Sequence, residues 1–346
     1  MRTQRAQNMS EIFACAELPA AVRIRRKTRV GILSNPLSGG NRKGLAPVRE
    51  ILVGRPDICH REVQTPADVA SALADFSRSE VEVLAVNGGD GTIQATLTAL
   101  FHRRPFERMP LLAILRAGTD SVIARDVGLR GSKERGLRAL LGWMKTGDRG
   151  RGVLVQRPVL RVQTRPEHEP RYGMSFGAGA VYQGILFCRR NVHTLGLHGD
   201  IAPGLTLLRF LLAAARGKGR FGAPVPMLIG LDGQPAEHLN CLVVFAGTLE
   251  HLFLGLRPYW GTEAAPLHFT AVSANPAHLL RALPSLLRGR RGRYGTRENG
   301  YISHNVREVR LTFHDGYTLD GELYRPDPQR GPIQVRHGGE ALFLRL

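Results

Sequence analysis

The run Val81–Leu100, VEVLAVNGGDGTIQATLTAL, holds the residues whose types and spacing could do chemistry. An apolar stretch, Val81–Val86, reads as a buried strand. It breaks at Asn87-Gly88-Gly89-Asp90-Gly91 and resumes from Thr92 as a helix with Ile93, Leu97 and Leu100 on one face. A strand, a glycine-rich turn and a helix start together make an anion site, because glycines let backbone approach a ligand and the first N–H groups of the helix are unpaired. Asp90 stands out: a carboxylate beside phosphate oxygens would repel them unless a cation lies between. It is therefore a candidate ligand for Mg²⁺ or for a water bound to it. The competing reading is a tight connection in which Asp90 only caps the helix. A pair of carboxylates occurs later, in the stretch Tyr317–Leu323, where Asp320 and Glu322 flank Gly321. On a strand, alternate side chains share a face, so both could point into one cleft. The same residues also suit an ordinary tight turn.

Four strand-to-loop transitions are needed to position these groups. Val30–Leu33 is a strand leading into Ser34-Asn35-Pro36-Leu37-Ser38-Gly39-Gly40, with Arg42 and Lys43 placed to meet phosphates. Val48–Val53 continues as a helix. A strand near Cys59–Gln64 leads to Thr65, and Pro66 starts a helix to about Phe76. Leu111–Leu115 is a further strand, followed by Arg116-Ala117-Gly118-Thr119-Asp120-Ser121. Strands alternating with helices predict a doubly wound parallel sheet with ligand loops at the C-terminal strand ends. Near residue 150 the alternation stops. Val153–Val162, Arg171–Gly177, Met227–Leu231, Asn240–Phe245, Leu267–Val272 and Val306–Phe313 read as strands of an antiparallel sandwich. The expected organisation is a basic arm (1–27), a nucleotide-binding α/β domain (28–150), a β-sandwich domain (151–325) and a C-terminal segment (326–346) with the option of packing back on the first domain.

Composition narrows the partners. The 346 residues carry a net charge of +19, and only five of the 48 basic residues are lysine. Such a surface attracts polyanions, including anionic lipid head groups. Sparse aromatic residues, at 6%, argue against nucleic acid. The apolar segment Gly204–Arg216, followed by Lys218 and Arg220, reads as a core helix or as an amphipathic helix on a bilayer. No apolar run is long enough to span a membrane. The four cysteines lie far apart, without metal-ligand spacing, as suits a reduced cytosolic protein.

Taken together, Asn35-Pro36-Leu37-Ser38-Gly39, Thr65, Gly88-Gly89-Asp90-Gly91-Thr92, Gly118-Thr119 and Leu319-Asp320-Gly321-Glu322 resemble the diacylglycerol kinase catalytic-domain family, which includes bacterial lipid kinases, ceramide kinases and sphingosine kinases. The resemblance runs from about Thr28 to Tyr324. It implies an α/β nucleotide domain followed by an antiparallel β-sandwich, with the active site in the cleft between them. It also implies ATP and Mg²⁺ as cofactors and transfer of the γ-phosphate to a lipid hydroxyl. Asn35, Ser38, Gly39, Lys43, Thr65, Gly88, Gly89, Asp90, Gly91, Thr92, Gly118, Thr119 and Asp320 would line the nucleotide. Asp90 would also hold the metal and act in catalysis, and Glu322 would take the acceptor's proton. The implied setting is the cytoplasm, at the inner face of an anionic membrane, with room for a homodimer. After Gly-Thr the family usually has a small residue and then Asn-Asp, whereas here Asp120, Ser121 and Val122 follow. The acidic residue supporting the metal is then missing unless Asp120 or Asp126 substitutes. Two other classes remain: a soluble-substrate kinase of NAD-kinase type, and a non-catalytic lipid- or nucleic-acid-binding relative.

Overall fold

The computed structural model describes residues 28–118, 121–146, 152–165, 167–191, 223–252, 255–327, 329 and 331–346. The expectations for the arm 1–27, for Thr119 and Asp120, and for the segment Gly204–Arg216 lie outside these residues. Two compact units divide the chain.

Within the described residues, the first unit takes in 28–100, 104–157 and 340–346. Its strands β1 (Arg29–Ser34), β2 (Ile58–Glu62), β3 (Val81–Gly88) and β4 (Leu111–Arg116) pair in parallel in the order β2-β1-β3-β4. The helices are α1 (Ala46–Leu52), α2 (Pro66–Arg78), α3 (Asp90–Thr98), α4 (Val122–Val127) and α5 (Lys133–Thr146). Each central strand is apolar on both sides. Val30, Ile32, Val83, Ala85, Ala113 and Leu115 share one core with Val48 of α1 and with Leu137 and Leu140 of α5. The alternate residues Leu33, Leu84, Val86, Leu112 and Ile114 are equally buried. Such unbroken apolar runs are what a parallel sheet covered on both faces requires. The second covering layer includes α2, whose Phe76 packs where a side chain on Gly31 would otherwise stand. The start of α2 is fixed locally. The Thr65 hydroxyl accepts from Asp68 N–H, Asp68 returns a bond to Thr65 N–H, and Pro66 occupies the first turn, which completes a capping box.

The second unit takes in 101–103 and 158–339. Strands β5 (Val153–Gln163), β6 (Arg171–Gly173) and β7 (Ser175–Gly179) precede α6 (Ala180–Asn191). Then follow β8 (Val225–Leu231), β9 (Glu237–Gly247), β10 (Leu267–Ser273), α7 (Leu279–Leu286), β11 (Tyr301–Val306), β12 (Glu308–Thr312), β13 (Tyr317–Leu319), β14 (Glu322–Tyr324) and β15 (Ile333–Arg345), with residues 153–157 of β5 and 340–345 of β15 belonging to the first unit. The pairing is antiparallel and centred on β9. Its first half pairs with β8, its second half with β7, and β10 runs along its other edge. Phe176, Val244, Phe269, Leu311 and Tyr317 fill the core between strands. This is the strand-rich antiparallel domain that the second half of the sequence predicts.

Two expected strands are each split, and buried or looped carboxylates do the splitting. The run Val306–Phe313 breaks at Arg307, because Asp232 accepts the backbone N–H groups of both Arg307 and Glu308. The run Arg171–Gly177 breaks at Met174, whose N–H is taken by Asp320. Neither partner is near in sequence, so alternation alone could not reveal the interruption. Among the described residues no helix is long and apolar enough to cross a membrane.

A Cβ built at Gly31 would lie 2.7 Å from the Phe76 ring. Gly31→Ala is therefore expected to destabilise the first unit by about 1–3 kcal/mol through overpacking. Pairing it with Phe76→Leu should recover part of that loss. Urea unfolding of the single and double variants checks both; additive losses would mean that the two positions do not meet.

Candidate functional site

Three loops at the C-terminal ends of β1, β3 and β4 are tied together by short bonds. Asn35 N–H donates to the Asn87 carbonyl, and the Asn35 side-chain amide donates to Thr92 Oγ1 at 2.9 Å. Gly89 N–H donates to Ser38 Oγ at 3.1 Å. Gly40 N–H donates to the Ala117 carbonyl at 2.9 Å. These contacts need backbone at van der Waals distance. A Cβ at Gly118 would sit 3.0 Å from Gly89 Cα, and one at Gly40 would sit 2.8 Å from the Ala117 carbonyl oxygen. Gly89 itself is the N-cap of α3. A Cβ there would meet nothing closer than 3.6 Å, so that side of the loop has room.

Asp90 opens α3 and reaches across to the loop after β4. One carboxylate oxygen accepts the Ser121 hydroxyl at 2.6 Å, and the other accepts Val122 N–H at 2.9 Å. The Ser121 hydroxyl in turn accepts Ala124 N–H, capping α4. Position 122 thus serves Asp90 through its backbone, whatever its side chain. Asp126, the sequence candidate for a substitute acid, is buried in α4 and ion-paired with the equally buried Arg157 at 3.2 Å. It does not replace the missing carboxylate as a free group.

Beneath the first loop lies a buried cation. Lys133, at the start of α5, donates from Nζ to the Gly40 carbonyl at 2.6 Å and to Asn41 Oδ1 at 2.9 Å. Asn41 then donates to the carbonyls of Asn35 and Asn87. Lys43, the cation expected to face phosphates, is exposed. Lys133 and Asn41 went unnoticed in the sequence because their loop partners lie up to 93 residues away. Ser34 and Asn87 add a second polar link, with His60 Nε2 2.9 Å from Ser34 Oγ. Burial holds the His60 imidazole below its usual pKa, favouring the neutral ring. Thr65 is engaged in the α2 cap, and the carboxyl of its partner Asp68 is held below the usual range by N–H donors from Gln64 and Thr65.

The late carboxylates do not share a strand face. Asp320 and Gly321 form the two-residue turn between β13 and β14, with φ of 48° and 80°. Both central residues are left-handed, as the favoured hairpin turn with an Asp-Gly pair demands. Asp320 is buried and accepts from the N–H groups of Met174 and Ser175 and from the Ser175 hydroxyl. Gly173 has no side chain where the Asp320 carboxylate lies; a Cβ there would be 2.3 Å from it. Glu322, the first residue of β14, is partly exposed and pairs with Arg189 of α6 at 3.0 Å. Arg189 also donates to the Gly321 carbonyl. Sequence spacing could not separate the two roles, because the turn reverses the strand between them.

Residues 29–151 match the family model described as the diacylglycerol kinase catalytic domain. That stretch contains all three loops and Asp90; the hairpin of Asp320 and Glu322 lies beyond it. No curated protein matches the chain. Among solved structures, one provisionally described as a diacylglycerol kinase from Bacillus anthracis str. Sterne is similar at a TM-score of 0.58 and 18% identity, covering 92% of this chain and 94% of that one. Another, described as a diacylglycerol kinase from the same organism, gives a TM-score of 0.56 at 16% identity, covering 92% and 96%. At such identities the likeness is one of fold.

Two substitutions test these assignments. Lys133→Met keeps the stem but removes the ammonium, leaving two loop acceptors unpaired. A loss of about 1–3 kcal/mol is expected, together with faster amide exchange across Ser38–Gly44. Unchanged exchange there would remove Lys133 as the support of the loop. Asp320→Ala strands the Met174 and Ser175 donors, and about 2 kcal/mol or more of stability should go with it. Nucleotide affinity, measured by calorimetry on the folded protein, should stay the same; a selective loss of affinity would instead make Asp320 a nucleotide contact.

Proposed function

We propose that this protein is an ATP- and Mg²⁺-dependent lipid kinase, transferring the γ-phosphate of ATP to a hydroxyl of a membrane lipid. Diacylglycerol is the first acceptor to test, and ceramide and sphingoid bases are the next. The observation that carries this reading is the knot of three glycine-bearing loops around Asp90, within the stretch that matches a lipid-kinase catalytic domain. The described residues suit the two cofactors. Backbone amides at the start of α3 and the small residues Ser38, Gly39, Gly89 and Gly118 favour phosphate oxygens. The Asp90 carboxylate, oriented by the Ser121 hydroxyl and Val122 N–H, offers hard oxygen donors of the kind that Mg²⁺ or its waters prefer. When bound, Mg²⁺ would neutralise phosphate charge, the main demand of phosphoryl transfer.

The chain's own residues divide the remaining work. The Gly88–Thr92 loop positions phosphates, with Asn35 and Ser38 holding its shape. Ser121 and Val122 N–H orient the Asp90 carboxylate. Glu322 is the base for the acceptor hydroxyl, a role worth about 10²–10⁴-fold. Arg189 steadies it until the hydroxyl arrives.

Asp90 and Glu322 should therefore fail differently. Asp90→Asn places an amide N–H₂ against either the Ser121 hydroxyl or Val122 N–H and removes the charge facing the cation. Both Mg·ATP affinity and turnover should drop. Glu322→Gln keeps the shape but cannot take a proton, so ATP affinity should persist while lipid phosphorylation falls by about 10²-fold or more. Calorimetry with Mg·ATP and initial rates with labelled ATP on a lipid panel measure both. Wild-type turnover by folded Glu322→Gln would remove the base from this mechanism, and no labelled product from any lipid would remove the lipid acceptor.

A further inference from the structure

A concentrated basic surface on the second unit has no part in the chemistry above. From Leu280 to Arg293 the chain carries five arginines, Arg281, Arg288, Arg290, Arg291 and Arg293, and no Asp or Glu. All five are exposed. Arg257, also exposed, joins them, because its N–H donates to the Leu287 carbonyl and it bridges to Arg288. The fold presents these groups on an ordered base. Helix α7 buries Leu279, Ala282 and Leu286 together with Tyr301. The turn after it is tied back: Arg288 and Arg290 N–H both donate to the Ser285 carbonyl, and Gly289 N–H donates to Leu286. Gly289 and Gly292 supply the left-handed residues this path needs, with φ of 70° and 58°. Cations at the C-terminal end of α7 also face its negative dipole end. The nearest acid, Glu298, is held below the usual carboxylate range, first by the Thr296 hydroxyl and in smaller part by Arg291 and Arg297. Glu237 is taken by Arg297.

The second observation concerns apolar exposure. Leu280 is 62% exposed, one of five large hydrophobic side chains left open among the described residues. Helical spacing puts Leu280, Arg281 and Pro284 on one arc of α7, opposite the buried Leu279, Ala282 and Leu286. An exposed apolar residue on the same short element that carries arginines suits an interfacial anchor: the cations meet head groups while the aliphatic side chain enters the acyl boundary. A surface for single-stranded nucleic acid typically adds open aromatic platforms. The ring here, Tyr294, is instead packed against the α7 cluster and His278.

We propose that the α7 face and its following turn, with Leu280 and Arg281 near the start of the helix and Arg288, Arg290, Arg291 and Arg293 beyond its end, dock the protein on an anionic lipid bilayer. The proposal deepens the lipid-kinase reading and rests on it for the identity of the partner. Docking is electrostatic with one shallow apolar contact, so it is reversible and screened by salt.

The test is sedimentation of the full chain, without nucleotide, with vesicles of phosphatidylglycerol and phosphatidylcholine. Wild type should bind these vesicles, bind pure phosphatidylcholine far more weakly, and release as salt rises from 0.1 towards 1 M. The triple variant Arg290→Glu, Arg291→Glu, Arg293→Glu should lose about 100-fold or more in affinity, and the corresponding triple Gln variant should lose less. Leu280→Ser alone should weaken binding about 10-fold. All substituted side chains are exposed, and thermal unfolding confirms that the variants fold. Undiminished binding by the folded triple Glu variant would overturn the proposal, as would equal binding of wild type to neutral vesicles. If single-stranded RNA competes the protein off vesicles at equal charge and the triple variant loses RNA binding instead, the face is a nucleic-acid surface and the proposal falls. Phosphorylation of detergent-dispersed diacylglycerol separates the two ideas: activity there with no vesicle docking leaves the kinase standing and removes this surface.

Discussion

The approach of backbone to backbone among three loops is the constraint on which the rest of the first unit depends. Gly89 and Gly118 stand so close that a methyl group on Gly118 would press on Gly89 Cα, and Gly40 lies against the Ala117 carbonyl. Side chains are excluded from the middle of this knot, and polar atoms at its edge are shared between loops. Asp90 works in the same way. Its carboxylate bonds the loop after β4, so the group suited to a cation is also the one that holds α4 in place. A loop set built like this is preorganised: its shape is fixed by bonds among its own residues before any ligand arrives.

Rigidity at the loops is inherited from what lies under them. Lys133 places a charge against a carbonyl and an amide oxygen in a buried site, where such bonds are strong and costly to lose. The sheet supplies the platform: its central strands are apolar on both faces and buried on both, so the loops rise from a packed layer rather than from a solvent-facing one. In the second unit a single buried carboxylate, Asp320, plays the corresponding part. It ends β6, starts β7 and closes the β13–β14 hairpin, so the conformation next to Glu322 is fixed by a neighbour that is itself out of solvent.

The arginine excess divides by location. Arg157 is consumed in a buried pair with Asp126, and Arg165, Arg189 and Arg297 each meet a carboxylate at the surface. The turn after α7 is different in kind, since its stretch of chain contains no acid at all. Total charge sets the class of partner a protein attracts; where the charge is unpaired sets which face it turns towards that partner.

Apolar runs and glycine spacing in the sequence are enough to determine the two-part α/β and antiparallel architecture and the loops carrying Asn35, Ser38, Gly88–Thr92 and Gly118. These are local signals: period, turn chemistry and a helix start are written within a few residues of one another. Tertiary structure decided the rest. Lys133, Asn41 and Ser121 hold the loops of the first unit, and Arg189 meets Glu322 in the second, through partners far off in the chain, which no window of sequence reports. It also decided that Asp320 and Glu322 part company. A two-residue spacing fits a shared strand face and a left-handed turn equally well. The choice was made by the Met174 and Ser175 amides, which draw Asp320 inward and leave Glu322 to Arg189.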